Sequence, residues 1–352
     1  MNHLQLSCLE IINLPKKILM LKIRSVQFFI VIIALFNSLS VSAQRTSLKF
    51  RPDKKFKIVQ FTDTHIKADT IESQVTIKTM SEVLDKEKPD FVVFTGDVVT
   101  DHPVEKGWKM VTKPVISRKI PFAVVFGNHD DEQGMTRAEL SKIVETFPNC
   151  SFVTNVENVY GYGNYVVKIA SSEGGNTAAL LYCMDSNAYS TIDSVGGYGW
   201  FRFDQINWYR TQSKLLKEAN NGKLLPALAF FHIPLPEYRE AYLNQKNPAI
   251  GIRLEKECSP DINSGMYTAM LESGDVMGTF VGHDHNNDYI AYLRGIALAY
   301  GRFTGSRNTY TDLPNGARVI ELTEGSRTFR TWIRTGTGEV YCPVDFPKSF
   351  LK

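Results

Sequence analysis

The sequence predicts an α/β fold in which two mixed β-sheets pack face to face and helices cover their outer sides. The first observation is that short apolar runs alternate with amphipathic helical segments in the N-terminal part of the chain. Such a βαβ pattern gives parallel neighbouring strands. The second observation is that the middle of the chain is richer in strands, and the third is a C-terminal part rich in Thr, Val and Arg. This order favours two packed sheets over one doubly wound sheet.

Three strands are predicted in the N-terminal part. They cover 56–62, a run from Phe91 that ends at Gly96-Asp97, and 121–126. Each is a short apolar stretch followed by turn residues. Helical spacing of apolar residues predicts one helix after the first strand and another after the third. Their inward positions are Ile77, Met80 and Leu84 in the first helix, and Leu140, Ile143, Val144 and Phe147 in the second.

The remainder of the chain is predicted to contain two further helices, at 204–217 and 266–271. The strands predicted there are 165–169, 178–184, 228–231, 276–281, 317–322 and 328–333. No repeat, low-complexity tract or linker interrupts residues 46–352, which indicates a single domain.

The first 43 residues have the three parts of a secretory signal peptide. Four Lys and Arg residues precede an uninterrupted apolar run at 28–36, and Val41-Ser-Ala43 supplies small residues for cleavage. The apolar run is too short to span a bilayer. We therefore expect export to the periplasm or the extracellular space after cleavage near Ala43. Met20 is a candidate start, because the residues before it add nothing essential to this signal.

Removal of residues 1–43 changes the charge balance of the chain. The full chain has 40 Lys and Arg against 37 Asp and Glu, whereas 44–352 contains 36 of each. This balance gives no electrostatic reason to expect nucleic acid as a stable partner, and the mature chain has no predicted transmembrane helix. Its four cysteines show no CxxC spacing, so we expect at most a structural bridge and no cysteine metal site. They are Cys150, Cys183, Cys258 and Cys342.

Five of the six histidines of the mature chain directly follow predicted strands. They are His65, His129, His232, His283 and His285, and Asp63, Asp97 and Asn128 accompany them. A single histidine at such a place is more often structural than functional. Five of them at successive strand ends indicate a metal site, because the ends of parallel strands meet at one edge of a sheet.

Imidazole and carboxylate groups without thiolate are suitable ligands for Zn, Mn or Fe, and enough of them are present for two ions. A carboxylate has two oxygens and bridges two ions about 3.5 to 4 Å apart in two-metal phosphoesterases. Asp97 is the natural bridge.

These residues form five ordered motifs: Asp63-x-His65, Gly96-Asp97, Gly127-Asn-His-Asp130, His232 and Gly282-His-x-His285. Together they resemble the signature of the calcineurin-like metallophosphoesterases over most of the mature chain. The segments 197–200, 231–238 and 281–288 are also similar to a branch of small plant proteins named as purple acid phosphatases and of fungal cell-cycle phosphatases. The resemblance implies the four-layer α-β-β-α sandwich of this superfamily.

The resemblance also implies which side chains hold each ion. One ion would be held by Asp63, His65, Asp97 and His285. The other would be held by Asp97, Asn128, His232 and His283. His129 is then left to protonate the leaving oxygen or to stabilise charge in the transition state, with Asp130 or another acid to orient it.

Two positions depart from the pattern of purple enzymes. Those enzymes place a tyrosine three residues after the bridging aspartate and Asp-x-Gly in the first motif, whereas this chain has Thr100 and His65. We therefore expect no tyrosinate–iron centre, and the metal pair remains open among Mn, Zn and Fe.

The expected function is hydrolysis of phosphomonoesters by a hydroxide that bridges two metal ions. Two divalent ions against two carboxylates leave a net charge of about +2, or about +1 with the hydroxide, which attracts phosphate. The ions also lower the pKa of bound water to about 7. Phosphodiesterase activity at the same site and a catalytically inactive, surface-binding member are the alternatives. The candidate substrate contacts are Asn128, His129, Asp185, Tyr198 and Arg302.

Overall fold

The computed structural model describes residues 48–154 and 156–351. The predicted signal peptide, 1–43, lies outside these residues, and its cleavage stays a prediction. Within the described ranges, no helix is long and apolar enough to cross a membrane. None of Cys183, Cys258 and Cys342 forms a disulfide there.

The described residues form twelve strands and six helices. The strands are β1 Lys55–Phe61, β2 Phe91–Thr95, β3 Phe122–Val125, β4 Tyr165–Ala170, β5 Thr177–Cys183, β6 Ala227–Phe230, β7 Val276–Val281, β8 Ile290–Leu293, β9 Ile296–Tyr300, β10 Gly316–Thr323, β11 Phe329–Thr335 and β12 Val340–Phe346. The helices are α1 Ile71–Glu87, α2 Val104–Ser117, α3 Arg137–Glu145, α4 Phe203–Ala219, α5 Glu237–Tyr242 and α6 Met266–Ser273.

Two six-stranded mixed sheets form the centre of the fold. The first has the order β12-β11-β10-β1-β2-β3, in which β1, β2 and β3 run parallel. The second has the order β4-β5-β6-β7-β9-β8, in which β5, β6, β7 and β9 run parallel. Helix α1 packs on the first sheet with α2 beside it, whereas α5 and α6 pack on the second sheet and α4 packs on α6. The predicted four-layer sandwich is confirmed.

The two sheets bury an apolar core between their facing surfaces. Phe280 of β7 stacks on Phe230 of β6, with ring centroids 5.4 Å apart. The same ring lies 5.7 Å from Phe329 of β11, which belongs to the other sheet. All three side chains are buried. Near the candidate site the two sheets are joined by a hydrogen bond from the Gln60 side chain of β1 to the carbonyl oxygen of Val281 of β7, at 3.0 Å.

Most predicted elements are present, with changes at their ends. The predicted parallel pairing of the first three strands is confirmed. The helix that contains Leu140 ends at Glu145, so Phe147 lies beyond it. The segment around Trp108 is a full helix, α2. The sequence analysis does not identify β8, β9, β12 or α5. Strands β8 and β9 are short and pair with each other across a two-residue turn at Arg294-Gly295.

Helix α3 begins with a capping box that fixes its first turn. Thr136 accepts a hydrogen bond from the backbone N–H of Glu139 at 3.2 Å, and the Glu139 carboxylate accepts one from the backbone N–H of Thr136 at 2.9 Å. This reciprocal pairing satisfies donors that a helix start leaves free. It also places Arg137, the first residue of α3, next to the loop that follows β3.

Candidate metal centre

The candidate site lies where the C-terminal ends of five strands meet, namely β1, β2 and β3 of the first sheet and β6 and β7 of the second. At three of these ends the backbone adopts the left-handed conformation: φ is 51° at Asp63, 50° at Asp97 and 78° at His283. Few residues other than glycine adopt this left-handed conformation. It persists where surrounding contacts hold it, and it clusters at functional sites.

Two groups of three side chains at these strand ends are able to hold a metal ion each. The ligand atoms within each group lie within 4.8 Å of one another, and all six residues are buried. The first group is Asp63, His65 and His285, and the second is Asp97, His232 and His283. The two groups match the two ligand sets that the family resemblance implies, with two differences. The implied sets also include Asn128, and they assign Asp97 to both ions. Neither group includes a cysteine.

The carboxylate of Asp97 lies between the two groups. Its Oδ2 atom is 3.2 Å from Nε2 of His232, in its own group, and 3.8 Å from Nε2 of His65, in the other. Its Oδ1 atom accepts a hydrogen bond from the backbone N–H of His129 at 2.8 Å. One carboxylate oxygen is therefore close to both groups, which is what a bridging ligand requires.

Several polar atoms at this centre are buried without a hydrogen-bond partner in the part of the chain that the structure describes. They are Nε2 of His65, Nε2 of His283 and Oδ1 of Asn128, while Nε2 of His232 faces the Asp97 carboxylate without an aligned hydrogen bond. The other ring nitrogen of His232 lies 2.7 Å from the carbonyl oxygen of Thr95, which fixes the orientation of the imidazole. Because buried polar atoms are rarely left unpaired, these atoms fit the coordination of metal ions.

The protonation states at the centre follow from burial and from neighbouring charges. Burial lowers the pKa of His65 to about 4 and that of His283 to about 3, so both imidazoles are neutral. Burial also acts to lower the pKa of His232, but the carboxylates of Asp97 and Asp63 outweigh it and raise that pKa to about 9. For Asp97, burial raises the pKa, and the adjacent His232 more than reverses this effect. Asp97 is thus ionised and His65 and His283 are neutral, which are the forms in which these side chains bind a metal, whereas His232 must lose its proton when an ion binds.

Close packing around Asp97 requires glycine at two positions. Gly96 has a φ of 88°, and a Cβ atom there would overlap the imidazole of His232. A Cβ atom at Gly127 would overlap the carboxylate of Asp97. Since glycine has no side chain, the loops after β2 and β3 approach each other and His232 more closely than other residues allow.

Asp130 stabilises the backbone of the site, and a different acid contacts His129. The Asp130 carboxylate accepts hydrogen bonds from the backbone N–H groups of Asp97 at 3.0 Å and Gly127 at 2.8 Å. Nδ1 of His129 instead lies 2.6 Å from Oε2 of Glu132. Of the acids considered for orienting His129, the structure therefore favours Glu132.

A chain of hydrogen bonds continues from Glu132 to the candidate ligand Asn128. Oε1 of Glu132 accepts a hydrogen bond from the hydroxyl of Tyr189 at 2.6 Å, and this hydroxyl accepts one from Nδ2 of Asn128 at 3.2 Å. The side chain of His129 is 40% exposed, in contrast to the buried ligand histidines. The sequence analysis identifies neither Glu132 nor Tyr189. The available signal for Glu132 was its position three residues after His129.

The remaining candidate substrate contacts lie in three different environments. The ring of Tyr198 packs edge-on against His283, with centroids 4.3 Å apart, and therefore borders the centre. Asp185 is fully buried in an ion pair. Arg302 is buried as well and pairs with Asp288. Both charges are paired within the protein, and a contact of Asp185 or Arg302 with substrate stays a prediction.

Comparison of the sequence with protein-family models identifies a family that has this fold and this kind of site. The family model described as calcineurin-like phosphoesterase matches residues 56–287. The chain therefore belongs to the calcineurin-like phosphoesterase family, whose members include dimetal enzymes, and the resemblance of the five motifs is confirmed.

Two relatives illustrate the branch. The chain is 36% identical over 292 residues to a protein of Arabidopsis thaliana named probable inactive purple acid phosphatase 29, and 74% of each chain is covered. It is 34% identical over 328 residues to phosphatase DCR2 of Saccharomyces cerevisiae, which covers 83% of this chain but 55% of the yeast protein.

Two solved structures show the same fold. A dimetal phosphatase from Danio rerio superposes with a TM-score of 0.58 at 12% identity, covering 82% of this chain and 98% of the other. A purple acid phosphatase from yellow lupin superposes with a TM-score of 0.52 at 13% identity, covering 85% and 55% respectively.

Replacement of one ligand histidine should remove one metal ion. We expect His232→Ala to bind one ion per chain where the unaltered protein binds two, because the second group loses a buried ligand. Elemental analysis of the desalted, metal-loaded proteins measures this number. His102→Ala is the matched control, since His102 belongs to neither group, and it should retain two ions. Two ions in His232→Ala would contradict the assignment.

Proposed function

We propose that this protein is an exported phosphoesterase that hydrolyses phosphomonoesters at a two-metal site. The observation that carries the proposal is the set of buried, unpartnered imidazole and amide atoms that converges beside the carboxylate of Asp97. A buried polar atom without a hydrogen-bond partner destabilises the folded state. Their convergence next to the exposed His129 supports a catalytic centre better than it supports a surface that only binds another molecule.

The proposed ligand sets combine the two structural groups with the family resemblance. Asp63, His65, Asp97 and His285 hold the first ion, and Asp97, Asn128, His232 and His283 hold the second. Nitrogen and oxygen ligands of this kind suit Mn, Zn or Fe. When bound, such ions lower the pKa of water and stabilise negative charge on a phosphoryl group.

His129 is the proposed acid for the leaving group. Its ring centroid lies 6.0 Å from that of His65, so it borders the metal groups without belonging to either. The contact of Nδ1 with Glu132 orients the ring, which makes Nε2 the atom that would donate to the leaving oxygen. The phosphoryl group would therefore lie between the ligand histidines and His129.

The preference for monoesters is supported by the name of the yeast relative, phosphatase DCR2. The metal ligands alone do not distinguish monoesters from diesters, because the loops around the metals select between these two classes. Phosphodiesters are therefore the direct comparison substrate.

Export is supported by the order of basic, apolar and small residues in 1–43. The proposed mature chain begins near Gln44, directly before the described residues. A periplasmic or extracellular location would give the enzyme access to phosphoesters outside the cytoplasm.

A catalytically inactive member of the family is the second candidate. The specific observation in its favour is that the relative from Arabidopsis is named probable inactive. Against it stands the full set of candidate ligands and the exposed, oriented His129. A binding module has no need to keep either.

The central test is turnover of p-nitrophenyl phosphate and bis(p-nitrophenyl) phosphate, assayed side by side with Mn, Zn and Fe supplied in turn. We expect faster turnover of the monoester. Asp97→Ala should lose nearly all activity, since both ions lose a ligand. His129→Ala should lower kcat for glycerol phosphate, whose poor leaving group needs protonation, by about 10²- to 10⁴-fold, the usual contribution of a general acid. His102→Ala serves as the control.

Two outcomes would contradict parts of this account. Full activity of His129→Ala toward glycerol phosphate would exclude its role as the acid. A protein that binds no metal and turns over no phosphoester would favour the inactive, binding member of the family.

The role of Glu132 is tested by changing the leaving group. Glu132→Ala should slow hydrolysis of glycerol phosphate about tenfold more than that of 2,4-dinitrophenyl phosphate, because only the poor leaving group needs protonation. Tyr189→Phe is the control, since it removes the other contact of Glu132 while His129 keeps its own. Equal losses for both substrates in Glu132→Ala would indicate a purely structural role.

A further inference from the structure

A cavity of about 450 Å³ lies beside the candidate metal centre and is bordered by Tyr189. Its walls come from the loops at 159–162 and 185–191 and from Arg137 at the start of α3. A volume of this size is typical of sites for small molecules. The residues of the two metal groups do not belong to these walls. The cavity is therefore a separate compartment next to the proposed reaction site.

Hydrogen bonds connect the cavity walls to the backbone of the metal centre. Arg137, whose side chain is 10% exposed, donates to Asp185 at 2.7 Å and to the carbonyl oxygen of Gly127 at 2.6 Å. Asp185 also accepts a hydrogen bond from the backbone N–H of Tyr162 at 2.8 Å. Because Gly127 directly precedes Asn128, the cavity has a fixed position relative to a candidate metal ligand.

Tyr189 forms the boundary between the cavity and the metal centre. Its hydroxyl accepts the hydrogen bond from Asn128 and donates the one to Glu132. Its ring lines the cavity, and the residue is 45% exposed. A ligand in the cavity is thus separated from Asn128 by about the length of one tyrosine side chain.

The exposed surface of the cavity suits a flat ring. Tyr160 is 47% exposed and lines the cavity together with Tyr189. The guanidinium of Arg202 packs over the Tyr160 ring, 5.2 Å from its centroid, and steadies it. Exposed tyrosine rings are platforms on which planar groups stack without strong dependence on their substituents.

The charges around the cavity favour an uncharged ligand. Asp131 and Asp185 both lie at the cavity, and both pair with Arg137, at 3.2 Å and 2.7 Å. The guanidinium is fully engaged by these contacts and by the Gly127 carbonyl. Among the described residues that line the cavity, Arg137 is the only cation. The nearby Arg202 packs over Tyr160 and donates a hydrogen bond to Thr191. The part of the substrate that enters here should therefore be neutral.

We propose that this cavity binds the nucleobase of a nucleoside 5′-monophosphate, which would make this class of phosphomonoester the substrate. The proposal rests on the proposed phosphomonoesterase function. The ribose would span the length of the Tyr189 side chain, with the phosphate on one side and the base on the other. An aryl phosphate, whose ring is bonded directly to the phosphate oxygen, would be too short to reach the cavity. In the reaction, the oxygen of water bonds to phosphorus and the P–O5′ bond breaks. The nucleoside leaves with a proton from His129, and inorganic phosphate remains.

Adenosine binding tests the cavity without any hydrolysis. Calorimetric titration of the metal-loaded protein should show saturable binding of adenosine and none of ribose. Tyr160→Ala should weaken adenosine binding about tenfold, because a stacking surface is lost, whereas Tyr160→Phe keeps it. Tyr341→Ala is the matched control, since Tyr341 lies on β12 and is 43% exposed. Absent binding, or binding unchanged in Tyr160→Ala, would overturn the proposal.

Hydrolysis rates separate this proposal from the function on which it rests. We expect kcat/KM for adenosine 5′-monophosphate to exceed that for ribose 5-phosphate about tenfold, with the ratio near one in Tyr160→Ala. Turnover of both substrates should be the same in Tyr341→Ala and the unaltered protein. Equal values for the two substrates in the unaltered protein would overturn the base site and leave the phosphomonoesterase function standing. Adenosine binding without turnover of any monoester would support the base site and refute that function.

Discussion

The structure of the site depends on keeping one ionised carboxylate, that of Asp97, buried between two groups of imidazoles. Burial of a charge is costly unless partners compensate for it. One oxygen is satisfied by the backbone N–H of His129, and the other faces His232 and His65. Asp130 holds the backbone N–H of Asp97 in place. The approach of so many groups to one residue explains the strained strand ends and the glycines beside them.

A second layer of contacts surrounds this centre and connects the proposed metal ligand Asn128 with the proposed acid His129. The hydroxyl of Tyr189 links Asn128 to Glu132, and Glu132 in turn contacts His129. A proposed metal ligand, the proposed acid and the wall of the neighbouring cavity thus share one tyrosine. Metal binding, proton donation and substrate selection would then depend on the same few hydrogen bonds.

Much of the fold and most of the centre could be predicted from the sequence, because their signals are local. Each ligand follows a strand directly, and apolar runs mark those strands. The failures concern contacts between residues that are distant in the sequence. Asp185 pairs with Arg137 across 48 positions, and Tyr189 reaches Glu132 across 57. A carboxylate after a strand looks the same in the sequence whether it meets a metal ion or a buried guanidinium, so only the tertiary structure separates these cases.

The claim that Asp97 bridges two metal ions is tested most directly by anomalous diffraction from crystals of the metal-loaded protein. Data collected at the absorption edge of the bound metal locate each ion independently of any activity. The account predicts two anomalous peaks about 3.5 to 4 Å apart, both within bonding distance of the Asp97 carboxylate. A single peak, or two peaks of which only one contacts Asp97, would contradict it.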